Sequence, residues 1–274
     1  MNYFLTDSKC PVCKSKLFSG FPGITAVCST RSGGVSEGIH ASMNLGFKNG
    51  DDPEKVHENF RIFCGEIGTE PENLVFARQT HTNNVRVVND SDLGKGIFKE
   101  CDYTDIDALV TNTKNLALVI QTADCVPVSI YDPVNKAIGL AHSGWRGTAL
   151  QITAKTIRKM VDEFGSKPEN LYVSTGPSIC RSCYEVSSDV VTEFQKAYND
   201  SEMKKIAVAK PNGKYLLDLC EAIKITALKA GVKPDNFENT GFCTCCNFEM
   251  LFSHRATGGK RGTLATFLFM NGKE

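Results

Sequence analysis

The chain has no surplus of positive charge: 31 lysines and arginines face 31 aspartates and glutamates. A nucleic-acid partner needs a basic stripe or face, so none is expected. No apolar run approaches the roughly 20 residues of a membrane span. Met1–Gly20 has no apolar stretch of the kind that marks a secretory leader, and the expected address is the cytoplasm. Histidine is scarce, with His40, His57, His81, His142 and His254 the only five, and no two of them form a His-x-His pair. No internal repeat is visible, and no linker divides the chain after residue 22.

Cysteine, by contrast, is abundant at twelve. Without a leader, so many thiols point to metal binding, catalysis or plain burial rather than a disulfide framework. Residues 1–22 read as an N-terminal appendage carrying the pair Cys10-Pro-Val-Cys13, half of a zinc knuckle. Cys180-x-x-Cys183 and Cys243-x-Cys245-Cys246 supply a second half only if folding brings them near. Residues 23–274 read as the main domain.

Strands and helices intermix along that domain. Ala26–Thr30 is a strand, followed by the glycine-rich loop Arg31-Ser-Gly-Gly-Val-Ser-Glu-Gly38, of a kind whose backbone N–H groups can approach an anion. Asp52 caps a helix that Pro53 opens and that runs to about Ile67. Leu74–Arg78 and Val85–Val88 flank the polar turn that holds His81. Ala108–Thr111 and Leu116–Ile120 lead into residues 121–148. Thr148 and Gln151 have the spacing of a capping box for a helix to Phe164, which Gly165 ends. Helices are expected near 188–198 and 217–230, with a polar connection over 199–214. Gly258-Gly-Lys-Arg-Gly262 is a second basic glycine loop, before a closing strand Thr263–Phe269.

Residues 121–148 organise the rest. Val126–Tyr131 and Ala137–Ala141 are apolar runs of strand length, and Asp132-Pro133-Val134-Asn135 between them has turn chemistry. If 132–135 is the loop, Tyr131 faces Lys136 and Cys125 lies directly opposite His142, on one face. A thiolate and an imidazole so placed can share a metal ion. Pro127 argues for an edge strand or a bulge, which would spoil that pairing. Asp124 adjoins the cysteine, and a charged residue at the end of an apolar strand is a poor core choice. Arg146, just before the expected helix start, suits an oxyanion such as phosphate; the plainer reading is a surface ion pair.

The motifs taken together resemble the bacterial laccase-domain family, also called the multicopper polyphenol oxidase family and described as purine nucleoside phosphorylases. The resemblance runs from Thr30-Arg-x-Gly-Gly-Val-Ser36 through Asn44-Leu-Gly46, Gly50-Asp-Asp-Pro53, Gln79-x-His81, Thr122-Ala-Asp-Cys125-x-Pro-Val128 and Ala141-His-x-Gly-Trp-Arg-Gly147. It continues to Cys183-Tyr-Glu-Val186, Cys243-Thr244, Phe252-Ser253, Arg255 and Gly-Lys-Arg-Gly262, and covers about residues 24–269. His254 departs from the tyrosine usual there. The resemblance implies an α+β fold, a single compact domain with mixed β-sheets and outer helices. It implies zinc held by His81, Cys125 and His142, purine nucleosides and phosphate as substrates, and adenosine deamination at the same site. Methylthioadenosine is a further implied substrate.

Within that frame Asp124 is the candidate proton carrier or partner of a metal ligand. Arg31 and Arg146 are candidates to hold phosphate, and Asn44 to contact ribose or base. The older oxidase name meets an obstacle in the histidines: a multi-copper centre is built largely from imidazoles, often as His-x-His pairs, which this chain lacks. One site with two nitrogens and one sulfur fits zinc better than copper. Two other classes remain open, a Cys-His hydrolase or amidase with Cys125 as nucleophile and His142 as base, and a non-catalytic metal or redox protein.

Overall fold

Four strands are apolar at nearly every position instead of alternate ones, and the fold buries both faces of each. They are Ala117–Thr122 (β7), Val126–Asp132 (β8), Ala137–Ser143 (β9) and Leu264–Met270 (β15), with strands numbered along the chain. The computed structural model describes residues 3–272. In it β7 and β15 join one six-stranded sheet, in the order β1 (Tyr3–Leu5), β2 (Val12–Ser15), β3 (Ile24–Ser29), β15, β7 and β4 (Leu74–Phe76). β8 and β9 lie at the centre of a second six-stranded sheet, in the order β14 (Phe237–Asn239), β10 (Tyr172–Thr175), β8, β9, β6 (Ala108–Thr111) and β5 (Val85–Val87). A small third sheet holds β11 (Glu185–Val186), β13 (Tyr215–Leu217) and β12 (Ala207–Ala209).

Alternate side chains of these strands serve different cores. Leu118, Ile120 and Leu268 pack with Ile138 and Leu140 between the two large sheets. Val119, Phe267 and Phe269 face the other way, onto Val56, Phe60 and Phe63 of the helix Pro53–Ile67. Val128, Ile130 and Ala141 face Ile152, Ile157 and Met160 of the helix Ile152–Phe164, with Ile223 of the helix Leu219–Lys229. The layers therefore run helix, sheet, sheet, helices. The result is one compact α+β domain with mixed sheets: β4–β7, β5–β6 and β10–β14 pair parallel and the other large-sheet pairs antiparallel.

Several local expectations are corrected. The hairpin pairs Asp132 with Ala137 and Pro127 with His142, two residues away from the register read from the turn. Asp132 closes the strand instead of opening the loop because its Oδ1 accepts the N–H groups of Val134 and Asn135. A slip of two keeps every side chain on its face, so Cys125 and His142 become diagonal rather than direct neighbours. Pro127 makes neither an edge nor a bulge. Its partner His142 sends its N–H the other way, to Asp107 O at 2.7 Å, so the β8–β9 ladder has no bond there for proline to break.

The helix expected from Thr148 is broken. A five-residue helix Trp145–Ala149 ends before Gln151, which takes φ +62° and makes no side-chain cap for Ile152–Phe164. Thr148 Oγ1 instead donates to Gly144 O at 2.9 Å, so the capping box does not form. The polar stretch 199–214 holds the helix Asp200–Ile206, which a true capping box of Asn199 and Glu202 starts.

Residues 3–22, read from the sequence as part of an appendage, pack against the main domain. β1 and β2 extend the first sheet, Phe18 is 2% exposed between the sheets, and Tyr3 stacks on Phe242 at 4.1 Å. Cys10 and Cys13 are core residues of two different clusters, and burial raises both thiols. Neither stands with another metal-capable group among the described residues. Among those residues no helix is long and apolar enough to cross a membrane.

Candidate metal centre and cavity

The chain leaves the first sheet at the end of β7 and enters the second at the start of β8, through Ala123-Asp124-Cys125. Asp124 takes φ +93° at this crossing, a left-handed conformation that aspartate tolerates better than most residues. His81 also has a positive φ, +67°, in the turn after β4. These bends, with the end of β9, bring His81, Cys125 and His142 together, their ligand atoms within 4.8 Å of one another. The two imidazoles meet edge to face with centroids 4.8 Å apart.

Asp107, just ahead of β6, anchors the group. It is fully buried, and its Oδ1 faces His142 Nδ1 at 2.8 Å and accepts the His81 N–H at 3.1 Å. Its Oδ2 accepts the N–H groups of Thr80 and Thr82 and the Thr82 hydroxyl. Burial alone would raise this carboxyl, but the His142 ring and the backbone donors outweigh it and hold it at about 2. With Nδ1 engaged, Nε2 is the His142 nitrogen left for an ion. Burial likewise works against a charged Cys125, yet His142 and His81 pull its thiol below the ordinary value, and Cys125 and Asp107 raise His142. A thiolate, two imidazoles and a carboxylate behind one of them form a donor set that suits a single ion with an open position.

Gly144 makes room for it. A Cβ there would stand 2.9 Å from His81 Cδ2 and 3.1 Å from Cys125 Sγ. Its φ of −72° is open to any residue, so the demand for glycine is steric. Gly144→Ala is expected to fold normally and to lose at least tenfold in metal affinity at this site; a metal titration beside a thermal melt checks it, and unchanged affinity would refute the crowding.

The three residues line a cavity of about 480 Å³, which Gln79, Gln121, Trp145, Tyr184, Lys48, Arg255 and Arg261 help to enclose. Asp124 is in the lining, and its carboxylate accepts from Thr244 Oγ1 (2.6 Å), Ser253 Oγ (2.7 Å) and Arg255 N (2.7 Å). Arg146 is exposed and outside the cavity lining, with its guanidinium 4.2 Å over Trp145, which lines the cavity, and no carboxylate pairs with it among the described residues. Arg31 and Asn44 are not brought to the cavity. Arg31 donates to Ala41 O and Phe248 O. Asn44 is fully buried, donates to Gly46 O and Asp51, and accepts from Thr263 N, so it braces the wall at Gly46 and Thr263.

Sequence reasoning missed Asp107, Arg255 and Arg261. Asp107 carried the same signal as Asp124, a carboxylate at the mouth of an apolar strand. Arg261 stood in the second glycine loop, but only the fold aims that loop at the cavity.

The fold and site define a metal-capable protein of an α+β sandwich, with a thiolate and two imidazoles at the floor of a cationic cavity. The chain belongs to the family described as multi-copper polyphenol oxidoreductase laccase, whose sequence model matches residues 25–271. It is similar to a protein of Bacteroides thetaiotaomicron named purine nucleoside phosphorylase, 35% identical over 255 residues that make up 92% of this chain and 94% of that protein. It is also similar to adenosine deaminase RL5 of an unknown prokaryotic organism, 30% identical over 90% of this chain and 94% of that protein. The crystal structure of Bacillus licheniformis hypothetical protein YfiH superposes with a TM-score of 0.91 at 30% identity, covering 97% of this chain and 99% of that one.

Proposed function

We propose that the protein is a zinc-dependent purine nucleoside phosphorylase that also deaminates adenosine. The observation that carries this reading is the convergence of His81, Cys125 and His142 on the floor of a cavity walled by Lys48, Arg255 and Arg261. Its volume falls in the range of small-molecule sites, about 300–1,000 Å³, and the names of the relatives support a nucleoside as the occupant. Two nitrogens and one sulfur suit zinc, and no second imidazole cluster stands among the described residues to build the several copper sites of an oxidase.

Zinc held there supplies a Lewis acid that polarises an oxygen of the substrate. The protein does the rest. Asp107 fixes the His142 ring and the His81 backbone. Asp124 has three of a carboxylate's roughly four acceptor sites filled; the remaining one is the group we assign to move a proton. The cavity arginines, with Arg146 over Trp145, neutralise phosphate. Arg31 and Asn44 act through the loops that they hold.

Incubating the zinc-replete protein with adenosine should give adenine and ribose 1-phosphate when phosphate is present, and inosine when it is absent. Release of neither adenine nor inosine would overturn the proposal. Arg146→Ala tests the phosphate side. Loss of a charge-assisted hydrogen bond costs roughly 1.5–3 kcal/mol, so phosphorolysis at low phosphate should fall roughly ten- to hundredfold while deamination changes little. Equal loss of both reactions would remove Arg146 from phosphate binding.

A second reading has one observation in its favour. Cys125, His142 and Asp107 stand in the order of a nucleophile, a base and its orienting carboxylate. In a Cys-His hydrolase, Cys125→Ser would abolish activity and leave metal content untouched; as a zinc ligand, Cys125 takes the metal with it.

A further inference from the structure

The residues Cys180, Cys183, Cys243 and Cys246 form a second cluster, and its four sulfurs also lie within 4.8 Å of one another. We infer that they hold a second metal ion of the zinc class, a tetrathiolate that fastens the wall of the cavity. A tetrahedral ion with metal–sulfur distances of about 2.3 Å sets its sulfurs roughly 3.8 Å apart, the scale of this cluster and too close for a body of several irons.

The topology delivers the two Cys-x-x-Cys hooks together. The first follows β10, in the turn Arg181–Cys183, and the second follows β14. β10 and β14 are parallel neighbours, and a bridge between Ser178 and Cys243 carries their pairing into the hooks. Cys243 Sγ accepts two backbone N–H groups, from Cys180 at 3.3 Å and Cys246 at 3.4 Å. Donors aimed at a sulfur favour its thiolate, the form that binds metal. Cys183 Sγ and Cys246 Sγ are 3.4 Å apart.

Ordinary burial does not account for the group, because Cys246 is exposed and Cys180 and Cys183 are half-buried. Of the thiols outside the cluster, Cys10, Cys13, Cys28, Cys64 and Cys220 are buried, while Cys101, Cys125 and Cys245 are half-buried. Binding would release the thiol protons to solvent and leave the ion with an excess of negative charge, beside which Arg255 Nη1 donates to Cys183 O at 3.1 Å.

The hooks carry parts of the first site. Ile179 and Tyr184, which line the cavity, flank the first hook. Thr244, inside the second hook, donates to Asp124, the neighbour of Cys125. The stretch between β14 and the helix His254–Thr257 has turns but no long helix or strand, so it depends on fixed points of this kind. The second ion thus positions the wall and touches no substrate.

The test is a count of metal in the full chain, purified with zinc and without chelator. Two zinc ions per chain are expected in the wild type and one in Cys125→Ser, which leaves this cluster untouched. Cobalt added to metal-depleted Cys125→Ser should show the strong thiolate charge-transfer absorption of a tetrahedral tetrathiolate. Cys246→Ser should keep the ion at the first site and lose the second, with a lower Tm. The inference fails if the wild type binds a single zinc that vanishes with Cys125→Ser, or if peptide mapping of the reduced-handled protein finds Cys183 and Cys246 joined as a disulfide instead. None of these readings depends on which reaction the first site performs.

Discussion

Asp107→Ala should cost the protein its metal affinity and much of its stability at once. The carboxylate is fully buried and takes the N–H groups of Thr80, His81 and Thr82, the Thr82 hydroxyl and the His142 ring. Alanine leaves those donors without their acceptor, at about 1–3 kcal/mol for each that water does not reach. Even a few of them take a large share of the 5–15 kcal/mol that typically holds a domain folded. Asp107 holds three successive backbone N–H groups of the turn that carries His81, so a ligand is lost together with the fold around it. Asp107→Asn separates the two effects. It preserves the volume and one carbonyl oxygen, and should fold while zinc affinity at the first site falls roughly 10- to 100-fold, the usual effect of removing a carboxylate behind a ligating histidine. A thermal melt and a competitive zinc titration on both variants check this. An asparagine variant with full zinc affinity would show that Asp107 serves the turn alone.

Deleting residues 1–22 should be as damaging, although the family's sequence model begins only at residue 25. The deletion strips β2 from β3 and leaves β3 as an open sheet edge, a template for aggregation. It removes Phe18 from between the sheets, a loss of about 3 kcal/mol or more for a buried phenylalanine. It also takes away two partners of the buried Glu238 carboxylate, the Ser15 hydroxyl and the Leu17 N–H. The shortened chain is expected to be poorly soluble or to melt far below the full chain. Solubility, size-exclusion profile and Tm decide it. A soluble monodisperse product with Tm within about 2 °C of the parent, a change below 1 kcal/mol, would show that the segment is an appendage after all.

Much of the architecture was legible before any coordinates. The apolar runs Val126–Tyr131 and Ala137–Ala141 announced two strands of a hairpin, and Asp52-Pro53 announced a helix start, and the structure keeps both. The pairing of Cys125 with His142 came from a turn reading that missed the register by two residues. It survived because a shift of two leaves each side chain on its own face. The broken helix at Gln151 was not legible, since the Thr148 hydroxyl donates back to Gly144 O instead of accepting a backbone N–H as a cap.

What the sequence determined by itself was local: the apolar runs, the Asp52 cap, and which residues could ligate a metal. Tertiary structure decided everything that depends on two distant segments meeting. It put Asp107 behind His142, turned Arg31 and Asn44 to the loops instead of the cavity, and drew the strands Tyr3–Leu5 and Val12–Ser15 into a sheet whose edge needed a partner. It also joined two cysteine hooks 63 residues apart, because β10 and β14 lie side by side. The physical reason is the same in each case. A side chain's chemistry is written in its own residue, but its burial, its acceptor and its neighbours are set by packing between elements that the linear order does not place together.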